Sequence, residues 1–238
     1  MTPAAVLSVT DLTRRYGAVS ALDGVSFALA RGEVLGLIGP NGAGKTTLMR
    51  CLAGFEALDA GRIEFADGRT PREAAFYLPD GATPYPELTV RRVLALFAAA
   101  FGQAADAVAR ARAALGLDAV ADKRVGALSK GYRRRLLLAI ALLAPQPLLL
   151  LDEPFDGLDA HQTRAVAALL RDLTEAGRGL LVSVHQLRDA ERICDRFALL
   201  RDGRLLALGD LDTLRAQAGV SQGGLEEVFL ALTEPALV

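Results

Sequence analysis

Along the first third of the chain, short apolar runs alternate with turns. Their spacing predicts strands at 6–9, 25–29, 34–38 and 62–65, some of them antiparallel. The run Val34-Leu35-Gly36-Leu37-Ile38 carries no polar side chain, as expected of a buried strand. A helix is predicted over 47–53, ending near Gly54. From 88 to 144 the pattern changes: Ala, Leu and Arg dominate, and apolar residues recur at helical spacing, as at Val93, Leu94, Phe97 and Phe101. Pro84-Tyr85-Pro86 opens this helical stretch and Pro145-Gln146-Pro147 closes it. Strands and helices then alternate again: a strand at 148–151, a helix over 160–176 stopped by Gly177, a strand at 179–184 and a helix over 186–194. Runs at 197–200 and 205–208 flank Asp202-Gly203, a hairpin turn. A last short helix is expected around 226–232. Apolar strands covered by helices define an α/β fold.

Composition narrows the functional classes. The 27 Lys and Arg against 28 Asp and Glu leave a net charge of -1, with a pI near 6.2. No global basic field marks nucleic acid as the main partner. Hydrophobic residues make up 52% of the chain, yet its longest uncharged stretch, 136–151, is broken by Pro145 and Pro147. It is shorter than the ~18 apolar residues a membrane span requires and reads as a buried helix followed by a buried strand. The N-terminal residues lack a cationic start and a long apolar core, so no secretory signal is expected. Cys51 and Cys194, the only cysteines, form no C-x-x-C pair and read as cytosolic free thiols rather than metal ligands. The length suits one large domain, or one domain carrying an inserted subdomain.

The strongest chemical signal is Gly39-Pro40-Asn41-Gly42-Ala43-Gly44-Lys45-Thr46, which matches the phosphate-binding pattern G-x-x-x-x-G-K-[ST] between a predicted strand and helix. Glycines allow successive backbone N–H groups to turn toward one anion, and the helix N-terminus adds partial positive charge. Lys45 reaches the β- and γ-phosphates and the Thr46 hydroxyl takes a Mg²⁺ position. Only three of the 27 basic residues are lysine (Lys45, Lys123 and Lys130), and a compact ammonium at position 45 suits a crowded phosphate nest better than a guanidinium. A second constellation follows the apolar run Leu148–Leu151: Asp152, placed to hold Mg²⁺, and Glu153, placed to polarise an attacking water. Such adjacent carboxylates call for a nearby cation. His185 follows the strand at 179–184 and is placed for a γ-phosphate contact, whereas His161 reads as surface.

Together these motifs resemble the ATP-binding subunit of an ABC transporter over nearly the whole chain. The loop and the acidic strand end are similar to that family's Walker A and Walker B elements. Leu128-Ser129-Lys130-Gly131-Tyr132 resembles its L-S-G-G-Q signature, Gly157-Leu158-Asp159 its D-loop, and His185 its switch histidine. Tyr16 falls where the family stacks an aromatic on adenine, a contact worth ~1–3 kcal/mol by analogy with base stacking. The resemblance implies a P-loop NTPase core with an antiparallel β subdomain and an inserted helical subdomain. An ATPase domain is expected over 4–219, with its core at 4–80 and 146–219 and helices at 81–145, followed by a short tail at 220–238.

It also implies ATP and Mg²⁺ as ligands, with the loop through Thr46 and Thr47 on the phosphates and Glu153 as general base. Two subunits, either two copies or a copy and a paralogue, would pair head to tail, and Ser129, Gly131 and Asp159 of one would face the ATP of the other. The implied partner is a separate membrane permease, and the implied location the inner face of the cell membrane. Lys130 and Tyr132 depart from the signature. Asp80 replaces the usual Gln of a loop that touches Mg²⁺, water and the membrane subunit. Aspartate is roughly 1.5 Å shorter and carries a charge, which argues against direct metal contact at Asp80 and for a bridging water. This acidic change and the following Tyr85-Pro86-Glu87-Leu88 resemble the branch that serves separate six-helix export subunits. Arg133-Arg134-Arg135 reads as a solvated helix face. Two other readings share these motifs: a soluble ATPase of translation or DNA repair, and a regulatory module that holds ATP without turning it over.

Overall fold

The computed structural model describes residues 4–233; residues 1–3 of the segment read for a secretory signal and 234–238 of the expected tail lie outside the described residues. A six-stranded sheet runs in the order β5 (Ala75–Leu78), β6 (Leu148–Leu151), β7 (Gly179–Ser183), β3 (Val34–Ile38), β8 (Arg196–Arg201), β9 (Arg204–Gly209). Its first five strands are parallel, and β9 returns antiparallel to β8 across the Asp202-Gly203 turn. Both turn residues have positive φ, 49° and 76°, as a two-residue hairpin turn requires.

The central strands are apolar throughout because both faces are covered. In β6, Leu149 and Leu151 enter a core shared with helices α5 (Lys130–Leu143) and α6 (Ala160–Glu175). Leu148 and Leu150 enter a second core, shared with α1 (Lys45–Leu52) and a three-stranded antiparallel sheet. That sheet has the order β2 (Val19–Ala30), β1 (Ala5–Tyr16), β4 (Ala60–Phe65).

β1 and β2 are much longer than the runs at 6–9 and 25–29. Their outer face is polar, and register shifts around Asp11, whose φ is +48°, break the alternation that would have marked the full strands. The helical stretch contains α3 (Val90–Ala100), α4 (Ala105–Ala114) and α5, with two 3₁₀ turns between α4 and α5. Three elements were not foreseen as helix or strand: the one-turn α2 (Pro71–Ala74), the four-residue β5, and α8 (Leu211–Ala218), which Asp210 caps by accepting from the Thr213 N–H at 2.8 Å. After α7 (Leu187–Ile193), the hairpin and α8, helix α9 (Leu225–Thr233) buries Leu225 and Val228 in the same core as α5 and α6.

Both cysteines are free and buried. Burial pushes the Cys51 thiol up to about 11 and the Cys194 thiol up to about 12. With so little thiolate at pH 8, neither should react with Ellman's reagent until guanidinium unfolds the chain. Rapid labelling of native protein would contradict this packing.

Candidate functional site

The sheet brings β3, β6 and β7 side by side, so the residues after their carboxyl ends meet. The loop after β3 depends on its glycines. A Cβ on Gly39 would lie 2.1 Å from the Leu200 carbonyl oxygen, and one on Gly44 would lie 2.5 Å from that of Ala21. Gly42 and Gly44 also hold φ of 83° and 103°, a region that L side chains rarely adopt. Gly44 is the left-handed cap of α1, which starts the helix at Lys45 rather than at the expected 47. Gly39→Ala is therefore expected to lower the melting temperature by several degrees, since the carbonyl it meets belongs to a central strand. An unchanged melting curve would show that the close approach can relax.

Lys45 is 7% exposed, and its ammonium donates to the carbonyls of Gly39 at 2.6 Å and Pro40 at 3.1 Å. Burial pushes its pKa down, while Glu153 and Asp152 pull it back up. Asp152 is surrounded by hydroxyls. Thr46 Oγ1 donates to its Oδ2 at 3.0 Å, Tyr77 Oη to the same oxygen at 3.3 Å, and Ser183 Oγ to Oδ1 at 2.6 Å. Burial and this carboxylate push the Tyr77 phenol well above its ordinary range. Tyr77 and Ser183 were not among the expected site residues; each lies at or near a strand's carboxyl end, the one signal available for them.

Glu153 sits at φ +52°, a strained region that costs ~1–3 kcal/mol and is kept where surrounding contacts enforce it. Its N–H donates to Ser183 Oγ at 2.8 Å, and its Oε1 lies 2.6 Å from His185 Nε2. His185 thus meets the acidic strand end directly. Glu153 and His185 also line a cavity of about 360 Å³.

The remaining expected residues have partners of their own. Tyr16 is exposed at the end of β1 with the Arg14 guanidinium 4.7 Å from its ring centre. The β1–β2 hairpin approaches the phosphate loop through Ala21. Ser129 caps α5 by accepting from the Tyr132 N–H at 3.4 Å. Gly131 lies against the D-loop, where a Cβ would come within 2.9 Å of the Gly157 oxygen. Asp159 caps α6, accepting from the N–H groups of His161 and Gln162 at 2.9 and 2.8 Å. His161 is on the surface, as expected.

The arginine triplet is not a solvated face. Arg134 is 4% exposed and pairs with Asp80, and Arg135 covers the Tyr132 ring at 4.1 Å and donates to the Leu115 carbonyl. A single-sign run in sequence does not reveal that α5 turns one of its arginines inward toward a cluster of carboxylates. That arginine supplies part of the cation demand of the acidic strand end, and Asp80 meets a guanidinium where metal contact was expected.

Comparisons with known proteins agree with this arrangement. The profile of the ABC transporter family matches residues 22–156. The Nod factor export ATP-binding protein I of Paraburkholderia xenovorans (strain LB400) is 38% identical over 220 residues, 87% of this chain and 71% of that protein. The ABC-type transporter ATP-binding protein EcsA of Bacillus subtilis (strain 168) is 35% identical over 239 residues, 96% of this chain and 97% of that one. A solved ATP-binding subunit of an ABC transporter superposes with a TM-score of 0.90 at 34% identity, covering 96% of this chain and 100% of that chain. A dimeric bacterial ABC transporter cassette shares the fold, with a TM-score of 0.79 at 21% identity over 86% of this chain and 98% of that one. The chain belongs to the ABC transporter family and is an ATP-binding subunit with the P-loop NTPase fold, an ATPase.

Proposed function

We propose that this ATPase works in a head-to-tail dimer, with a second copy or a paralogue, and drives export through a separate membrane permease at the inner face of the membrane. The observation that carries the hydrolytic part is the Glu153–His185 pair at 2.6 Å, held beside the Lys45 loop. Glu153 takes the proton of the attacking water, and His185 orients the carboxylate and reaches the γ-phosphate. Lys45 exchanges two backbone carbonyls for phosphate oxygens. Thr46 and Asp152 offer hard oxygen donors 3.0 Å apart, a set that fits Mg²⁺. Bound Mg²⁺ supplies neutralisation of charge on the phosphate oxygens. Tyr16 offers its exposed ring to the adenine. Ser129, Gly131 and Asp159 complete the partner's site.

Export is supported by what the relatives are named for: the 38% identical relative is an export ATP-binding protein. No helix among the described residues is long and apolar enough to cross a membrane, which fits a permease on another chain. Affinity purification of the tagged chain from its native cells should recover a six-helix membrane protein together with it. Recovery of ribosomes with no membrane protein would overturn this reading in favour of a role in translation.

A further inference from the structure

We propose that Asp80 and Arg134 form an ionic clasp that fixes the Asp152–Glu153 peptide, making Arg134 a positioning residue for the carboxylate that activates water. The inference rests on the proposed role of Glu153. A guanidinium that is 4% exposed must be paired, and this one meets three aspartates in two segments, the loop after β5 and the turn after β6. Its Nη2 pairs with the Asp80 carboxylate, in the loop after β5, and lies 4.0 Å from Asp156 Oδ2. Its Nη1 donates to the Asp152 carbonyl oxygen at 3.3 Å.

That carbonyl belongs to the peptide joining Asp152 to Glu153, and the N–H of the same peptide donates to Ser183 at 2.8 Å. The peptide is therefore gripped at both ends, where Glu153 holds φ +52°. Strained backbone of this kind persists only while its surroundings impose it. Releasing the carbonyl frees the peptide to rotate, and the Glu153 side chain would leave His185.

Two departures from the family pattern converge on this cluster. Asp80 stands in place of Gln, and Lys130 in place of Gly. Lys130 and Arg134 are four residues apart on α5 and so share a face. Lys130 Nζ holds Asp156 at 2.6 Å. Carboxylate oxygens of Asp80, Glu153 and Asp156 all lie within 4.8 Å of one another, an arrangement that like charges resist without cations between them. Through this clasp, the position of the signature helix is passed to the hydrolytic carboxylate by a pair of charges, and Asp80 is its anchor rather than a metal ligand.

A double-mutant cycle of Asp80→Asn, Arg134→Gln and the pair tests this, with kcat, ATP affinity and half-saturating Mg²⁺ measured for each. Each single change should lower kcat about 10- to 100-fold, the range expected for a misplaced catalytic group, while ATP affinity and Mg²⁺ half-saturation stay at wild-type values. The double variant should be no worse than either single one, and Arg134→Lys should recover part of the rate. Losses that multiply would overturn the clasp. So would a raised Mg²⁺ half-saturation in Asp80→Asn alone, which would make Asp80 a metal ligand.

Hydrogen exchange on the ATP-free protein gives a readout independent of turnover. The Glu153 amide should exchange about tenfold faster in Arg134→Gln, and an unchanged rate contradicts the clasp. Asp80 is 47% exposed, so Asp80→Asn carries the same exchange measurement if Arg134→Gln does not fold. A wild-type chain without ATPase activity would refute the role of Glu153 yet leave the exchange result to decide the clasp.

Discussion

Glu153→Gln should bind Mg·ATP as the native chain does and turn it over about 10²- to 10⁴-fold more slowly, the usual contribution of a general base. The amide keeps the size and backbone demands of the carboxylate, so the left-handed turn at φ +52° and its bond to Ser183 are retained. What is lost is the ability to take a proton, together with the charge that faces His185 at 2.6 Å. Because the closed state would form but not resolve, an ATP-dependent dimer should accumulate and be visible by size-exclusion chromatography. Turnover at the native rate would remove Glu153 from the mechanism, and would also remove the reason for gripping its peptide.

Lys45→Ala should abolish nucleotide binding at ordinary concentrations. Lys45 is the buried cation of the loop, and its ammonium already sits against the carbonyls of Gly39 and Pro40, within the nest that its glycines shape. Truncating one partner of a buried, hydrogen-bonded charge pair costs ~2–5 kcal/mol. At about 1.4 kcal/mol per factor of ten, ATP affinity should fall by at least about 30-fold and turnover should reach background. A fluorescent ATP analogue reports the affinity directly. Wild-type affinity in this variant would place the triphosphate elsewhere. Lys45→Arg is expected to fail as well, because a planar fork does not fit where a point charge bonds two carbonyls of the same tight turn.

The parts of this protein legible in its sequence are those whose chemistry is local. The phosphate loop needs glycine where backbone approaches backbone, and the collisions that a Cβ would cause at Gly39 and Gly44 show why. Strands buried on both faces, such as β3 and β6, show as unbroken apolar runs and fall on their predicted residues. β1 and β2 extend beyond their predicted runs because half of each faces solvent and bulges interrupt their period. β5 is too short to show a period at all.

The contacts that Tyr77, Ser183 and Arg134 make around Asp152 and Glu153 were illegible for a different reason, since they join residues far apart in the chain that no motif marks. Tyr77 and Ser183 lie 75 and 31 positions from Asp152, and Arg134 lies 54 from Asp80. No helical or strand period encodes such pairings, so Arg134 read as one cation in a run of three. The resemblance to a family located Asp80 but brought with it the role of the glutamine it replaces. Only the fold shows that aspartate beside a buried guanidinium.

The central claim is that Lys45, Thr46, Asp152 and Glu153 form one pocket for Mg·ATP. Calorimetric titration of Mg·ATP into the folded native chain tests it most directly. The account predicts saturable binding of one nucleotide per chain, lost in Lys45→Ala and kept in Glu153→Gln. Absence of any binding heat at millimolar Mg·ATP would contradict it.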